Sequence, residues 1–255
     1  MKLFLKISAV ILLLGYLIAS FVLFSEDDRR VRCQNLYITV IDSTECDLIK
    51  ADDIYDYIER LGLSPVGKSC RLVNTEAIEQ SVRQIDILRD VQCYHKRNGD
   101  IYLTVEQRHP VMRVVTDENE SYYLDENGAT IAVNNMYLDY LPLVLGCIDD
   151  TLPAVDLLPM VRYISADSFW NAQTEHIYVS PQHEVSLMPR VGGHVILLGT
   201  PDEYEDKLAR VLAMYKQVMP RIGWTVYDTI SVKYSGQVLC TRIDKNYKHK
   251  TWTKN

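Results

Sequence analysis

The sequence predicts an α+β protein: a single N-terminal transmembrane helix, a compact β-α-α-β-β unit, then a mostly antiparallel β domain with packed helices. Three observations lead there. One long uncharged run, Ile7 to Ser25, stands near the N-terminus. Hydrophobic periodicities of two, then about 3.6 twice, then two again follow it. At His109-Pro110 the pattern turns to short alternating runs separated by turn residues.

Ile7 to Ser25 is mostly Ile, Leu, Val, Phe and Ala, with Lys2 and Lys6 before it. As a helix rising about 1.5 Å per residue it spans roughly 28 Å, near the thickness of a bilayer's hydrocarbon core. A cleaved signal peptide would have a shorter apolar region followed by a small-x-small site. Ile18-Ala19-Ser20 and Leu23-Phe24-Ser25 each put a bulky residue at the first small position, so an uncleaved anchor is expected. Charge does not fix its direction, because Arg29, Arg30 and Arg32 on the far side balance Lys2 and Lys6.

Beyond the anchor, Leu36 to Ile41 alternates and is rich in β-branched and aromatic residues, which predicts a strand. Asp52 to Leu61 carries Ile54, Ile58 and Leu61 on one helical stripe, and Gly62 stops it. Asn74 is a good N-cap for a second helix bearing Ile78, Val82 and Ile85. Val91 to His95 and Ile101 to Glu106 flank Asn98-Gly99, a strong hairpin signal.

Strands are then expected at Val111–Val115, Tyr122–Leu124 and Ala129–Val133, the last two joined by an Asp125-Glu126-Asn127-Gly128 turn. Leu152 to Trp170 predicts a helix interrupted by Pro153 or Pro159. Further strands are expected at His176–Val179, Glu184–Met188 and Val195–Leu198. Thr200-Pro201-x-Glu203 predicts a Thr-capped helix whose stripe is Leu208, Val211, Leu212, Tyr215 and Val218. Thr229–Tyr234, a Ser235-Gly236 turn and Gln237–Arg242 close the fold, and a basic tail follows. The expected organisation is 1–30 short tail and anchor, 31–108 first domain, 109–243 β domain, and 244–255 disordered tail.

Composition narrows the functions. At 47% hydrophobic and 24% charged the chain is globular. Its net charge of −7, with Lys2 and Lys6 the only charges in the first 25 residues, argues against binding to nucleic acid. Six scattered cysteines (Cys33, Cys46, Cys70, Cys93, Cys147, Cys240) form no C-x-x-C pair, and the six histidines form no H-x-x-x-H pair, so neither metal nor cofactor is expected. Gly62-Leu63-Ser64-Pro65-Val66-Gly67-Lys68-Ser69 matches the P-loop pattern literally, but a helix enters it where the phosphate-binding mechanism requires a strand. There is no G-x-S-x-G elbow and no carboxylate pair at a catalytic spacing; no enzyme is expected.

Several blocks, in order, resemble the FtsQ/DivIB family of bacterial cell-division proteins, whose first extracytoplasmic module is a POTRA domain. They are Val105-Glu106-x-x-x-Pro110-Val111, Tyr123-Leu124-Asp125-x-x-Gly128, Leu141-Pro142-Leu143 with Gly146, Leu198-Gly199 ahead of Lys207-Leu208, and Ile230 to Gly236. Lys233 stands where Arg is common in the family, and Thr241 where some relatives carry Trp.

The resemblance implies a cytoplasmic N-terminus, a chain lying mostly in the periplasm at the division site, and a non-catalytic divisome scaffold of the inner membrane. It also implies that the last strand receives FtsB, which travels with FtsL. By position the carried-over residues are Lys233, Tyr234, Ser235 and Gly236; Gln237, Val238 and Leu239 are added because a strand edge pairs through its backbone. Lys233 is expected to meet an acid on the partner, and Tyr234 either to sit at the rim of the contact or to pack as core. Two other readings are an envelope-biogenesis POTRA adaptor that binds β-strand substrates and a P-loop nucleotide-binding protein.

Overall fold

The computed structural model describes residues 12–20, 32–41, 48–96, 98–133, 138 and 141–243. Residues 12–20 are helical and mostly exposed. The remainder of the expected 7–25 anchor and the 244–255 tail lie outside the described residues. No helix among those described is long and apolar enough to cross a membrane. The chain divides between Arg108 and His109 into two compact units.

The first unit runs β1 (Leu36–Val40), α1 (Ala51–Arg60), a short 3₁₀ turn (Cys70–Leu72), α2 (Thr75–Val82), β2 (Leu88–His95) and β3 (Ile101–Gln107). Ile54 and Ile58 of the first helix and Ile78 and Val82 of the second are buried, as are Val91, Ile101, Leu103 and Val105 of the sheet; Leu61, expected on the first stripe, lies at the C-cap and is exposed. Strand order is β1-β3-β2, with β1 parallel and β2 antiparallel to β3. Asn74 caps α2 as expected, accepting the Ala77 N–H at 3.0 Å. That helix stops at Val82, so Ile85 lies in the following turn. Tyr37, Tyr102 and Tyr94 stand in register across the three strands and stack at 5.0 and 5.8 Å between ring centroids.

The second unit contains β4 (Pro110–Thr116), β5 (Ser121–Asp125), β6 (Thr130–Ala132), β7 (Leu143–Gly146), α3 (Ala154–Ala166), α4 (Ser168–Gln173), β8 (Thr174–Val179), β9 (Val185–Pro189), β10 (Val195–Gly199), α5 (Tyr204–Gln217), α6 (Met219–Ile222), β11 (Tyr227–Ser231) and β12 (Leu239–Arg242). One nine-stranded sheet has the order β12-β11-β10-β9-β8-β7-β4-β5-β6. Its pairings are mostly antiparallel; β4–β7, β7–β8 and β10–β11 are the parallel ones. Leu157, Val161 and Ile164 of α3 and Leu208, Val211 and Tyr215 of α5 share one core with Val114, Val144, Ile177, Leu187, Ile196 and Ile230 of the sheet.

Several elements depart from expectation. Leu143–Gly146, a four-residue segment behind Pro142, is a central strand that its length did not announce. The helical stretch after Leu152 breaks at Asp167, not at a proline: Pro153 sits at the N-cap of α3 and Pro159 lies within it. The Asp167 carboxylate accepts the N–H groups of Phe169 and Trp170 at 2.9 Å each and so starts α4. The expected Thr200 cap also fails. Helix α5 begins after Glu203, whose φ is +51°, and Thr200 instead offers its C=O (2.8 Å) and Oγ1 (3.4 Å) to the buried Lys207 ammonium. The closing hairpin is shorter than expected, so residues 232–238 form a loop and not strand.

Two consequences follow for stability. Gly146 has a φ of +112°, and a Cβ there would lie 2.0 Å from the Val179 carbonyl oxygen. Gly146→Ala is expected to cost at least about 2 kcal/mol, measured by urea unfolding with tryptophan fluorescence, since all three tryptophans lie beyond His109.

His194 is buried in an aromatic nest with Trp224 and Tyr215, its Nε2 at 2.6 Å from the Tyr215 hydroxyl. Its Nδ1 has no hydrogen-bond partner among the described residues, so the imidazolium's second donor would be stranded. Burial holds the His194 pKa below its ordinary 6.5. The unfolded chain therefore binds this proton at a higher pH than the folded one, so the contribution is complete above about 6.5 and declines as pH falls below it. The unfolding midpoint should drop on acidification from about pH 6.5 to 5, and His194→Gln should flatten that slope.

Candidate partner-binding edge

Strand β12 ends the sheet. It pairs antiparallel with β11 (Ser231 opposite Leu239, Ile230 opposite Cys240, Thr229 opposite Thr241), and no strand among the described residues lies on its other side. Alternation along it turns Cys240 inward, with Sγ 3.6 Å from the Met214 sulfur, and leaves Leu239 and Thr241 exposed. Its outer backbone groups are available for pairing with an added strand.

The loop before β12 is held by one side chain that the sequence did not single out. The Arg210 guanidinium, only 14% exposed, reaches from α5 and donates through Nη1 to the C=O of Tyr234 and of Gln237, both at 2.7 Å. Its Nη2 donates to the Val232 C=O at 3.2 Å, and its Nε meets the Asp206 carboxylate one turn earlier at 2.9 Å. The planar fork of five donors satisfies three turning carbonyls and a carboxylate at once, which a lysine could not do.

The expected site residues fall out along this loop. Lys233 is engaged within the chain: its ammonium pairs with Glu184, at the start of β9, and its stem crosses Gly199, where a Cβ would sit 2.8 Å from Lys233 Cγ. Tyr234 is 54% exposed, so it is not core. Ser235 and Gly236 form the turn, with Gly236 at φ +72°. Gln237 contributes its carbonyl to Arg210, Val238 packs partly into the core, and Leu239 opens β12 with its side chain exposed. Beside them a shallow groove of about 380 Å³ lies between α5 and the last strand, lined by Ala213, Met214, Val218, Val238 and Cys240 among others.

Other candidate chemistry is placed as follows. The loop spanning Gly62 to Ser69 connects α1 to the 3₁₀ turn, and four of its backbone donors are used internally: Gly62 to Glu59, Leu63 to Ile58, Gly67 to Cys33 and Lys68 to Pro65. The Lys68 ammonium donates to the Gly62 carbonyl at 3.3 Å. Those four N–H groups, which a phosphate cradle would need, already point to carbonyls of the chain. Among the described residues, one group of mixed side chains is close enough to hold a metal ion: Cys147, Asp149 and His183. The His183 hydrogen bond and backbone N–H donors hold the Asp149 carboxyl well below the usual carboxylate range.

The second unit is thus a helix-backed open sheet that follows a separate β-α-α-β-β unit and ends in a strand beside a structured loop. A family model described as "FtsQ/DivIB, C-terminal related" matches residues 109–241, and one described as a POTRA-like domain matches residues 31–106. The first covers more than half of the chain, and the chain belongs to the FtsQ/DivIB family. No curated protein matches it. Membership of that family suggests a scaffold role in cell division, together with other division proteins.

Arg210→Lys tests the loop. It should raise hydrogen exchange of the amides in 232–242 by roughly tenfold, the scale of one lost charge-assisted bond, while the amides of α3 keep their protection.

Proposed function

We propose that this chain is a non-catalytic divisome scaffold that captures a partner segment along β12 by β-augmentation. The free outer edge of that strand, beside a loop pinned by Arg210, is the observation that carries the reading. The partner class is the FtsB type accompanied by FtsL. Its backbone would extend the sheet, Tyr234 and Leu239 would supply exposed apolar area, and its inward side chains would meet the groove under α5. Lys233 acts in this reading as a strut to Glu184 and not as a direct contact.

The anchor at 7–25 would fix the chain in the bacterial inner membrane, N-terminus inward, with the rest in the periplasm at the division site. The length and apolar composition of that run support the placement. The backbone donors consumed in the Gly62–Ser69 loop weigh against nucleotide binding.

The test is a pull-down with the full chain from detergent-solubilised membranes, beside Tyr234→Glu. Recovery of FtsB- and FtsL-like proteins by the unaltered chain, falling about tenfold or more with Tyr234→Glu, is the expected outcome; desolvating a new carboxylate in an apolar contact costs at least that much. Equal recovery by both would remove Tyr234 from the site. Recovery of outer-membrane β-strand proteins instead would favour the envelope-adaptor reading.

A further inference from the structure

On the same sheet, away from β12, a second cluster carries its own chemistry. Cys147 and Asp149 follow β7, and His183 lies in the hairpin between β8 and β9. Strands β7 and β8 are parallel neighbours with Gly146 opposite Val179, so both segments leave the sheet at the same end. The Cys147 N–H donates to the Val179 carbonyl at 3.0 Å, which ties the first segment to the base of the second. His183 has a φ of +58° and closes its turn through an N–H bond to the Ser180 carbonyl at 2.8 Å.

The three side chains converge on one point. His183 Nε2 is 3.0 Å from each Asp149 oxygen and 3.9 Å from Cys147 Sγ, and Cys147 Sγ is 3.6 Å from Asp149 Oδ2. A nucleophilic Cys-His-Asp relay uses the two ring nitrogens separately, one toward the sulfur and one toward the carboxylate. Here both face the same nitrogen, so the imidazole cannot pass a proton between them. Convergence on one atom is instead the arrangement of ligands around a single cation.

Distances agree with that reading. A tetrahedral ion with zinc's bond lengths separates its ligand atoms by about 3.3–3.6 Å, and the three observed separations bracket this range. The Asp149 carboxylate is oriented by the N–H groups of Thr151 (2.8 Å) and Leu152 (3.3 Å) on Oδ1, as outer contacts orient metal ligands. The Asp149 and His183 side chains are 46% and 26% exposed, which leaves room for water at a fourth position. A donor set of one sulfur, one nitrogen and one oxygen suits zinc-class divalent ions and not magnesium or calcium.

We propose that Cys147, Asp149 and His183 form a divalent-metal site of the zinc class, with one open position, that staples the segment after β7 to the β8–β9 hairpin. On binding, the Cys147 S–H bond breaks, its proton passes to solvent and the sulfur's electron pair binds the ion; no redox step is involved. The site is independent of the β12 edge and stands or falls separately from it.

The test uses the full chain in detergent with a phosphine reductant, stripped with EDTA and titrated with ZnCl2 and CoCl2. One zinc per chain is expected, with a rise in unfolding temperature in its presence. Cobalt should give visible d–d bands and a near-ultraviolet thiolate charge-transfer band. Cys147→Ser should abolish the charge-transfer band. His183→Asn, chosen because Asn tolerates positive φ, and Asp149→Asn should each weaken zinc binding by at least about tenfold. Unfolding in EDTA at the midpoint of the unaltered chain establishes that each variant folds. No stoichiometric zinc on the folded chain, undiminished binding by His183→Asn, or a charge-transfer band that persists in Cys147→Ser would overturn the proposal and leave the cluster as a solvated His–Asp pair beside a thiol.

Discussion

An open sheet has to end, and the way it ends governs what this second unit can do. Helix α5 sets both conditions. Leu208, Val211 and Tyr215 place it in the core against the sheet, and Arg210, one position off that stripe, leaves the same helix toward the final loop. Three carbonyls that turn away from strand geometry would otherwise need water or would have to re-form a ladder. Because the guanidinium donates to all three, residues 232–238 can depart from the sheet and return as β12 in a fixed position. The last strand is therefore presented by the core of the domain, not by the hairpin's own turn.

The two ends of the sheet are not equivalent. At the far end β6 is three residues long with only Ile131 buried, a short edge of the kind that limits unwanted pairing. At the near end β12 is also short, but it is accompanied by exposed Tyr234, Leu239 and Ile243 and by the groove beneath α5. Backbone pairing alone is unselective; apolar side chains beside the edge give a partner something to recognise. This asymmetry, more than the existence of an edge, sets the β12 end apart from the β6 end.

Local signals in the sequence were sufficient for most of the elements and insufficient for their joints. The stripes of α1 and α5, the Asn74 cap and the Asn98-Gly99 turn rest on interactions within a few residues, and each was legible. Strand β7 was not, because four residues behind a proline carry too little periodicity; its place comes from pairing with β4 and β8, far along the chain. Thr200 read as a cap because the residue types fit, but the Lys207 ammonium, buried by the packing of α5, takes both of its oxygens. In the closing loop the turn at Ser235-Gly236 follows from the residue types, whereas the sequence left Tyr234 open between rim and core and only the structure shows it exposed. Arg210 and Glu184 were invisible, since one lies on a helix beside an ordinary i,i+4 acid and the other opens a strand. Cys147, Asp149 and His183 share no ligand spacing; only parallel β7 and β8 bring them together.

The loop before β12 has two tethers of unequal weight. Lys233 and Glu184 are both about one-third exposed, and a solvent-screened ion pair of that kind contributes little to stability. Arg210 is mostly shielded and makes three bonds to backbone carbonyls, each in the stronger charge-assisted class. The position of the loop therefore depends on the helix side, and the Lys233 strut adds orientation with little energy. With the carbonyls already taken by Arg210, residue 233 has only to reach one carboxylate, and a single ammonium does so.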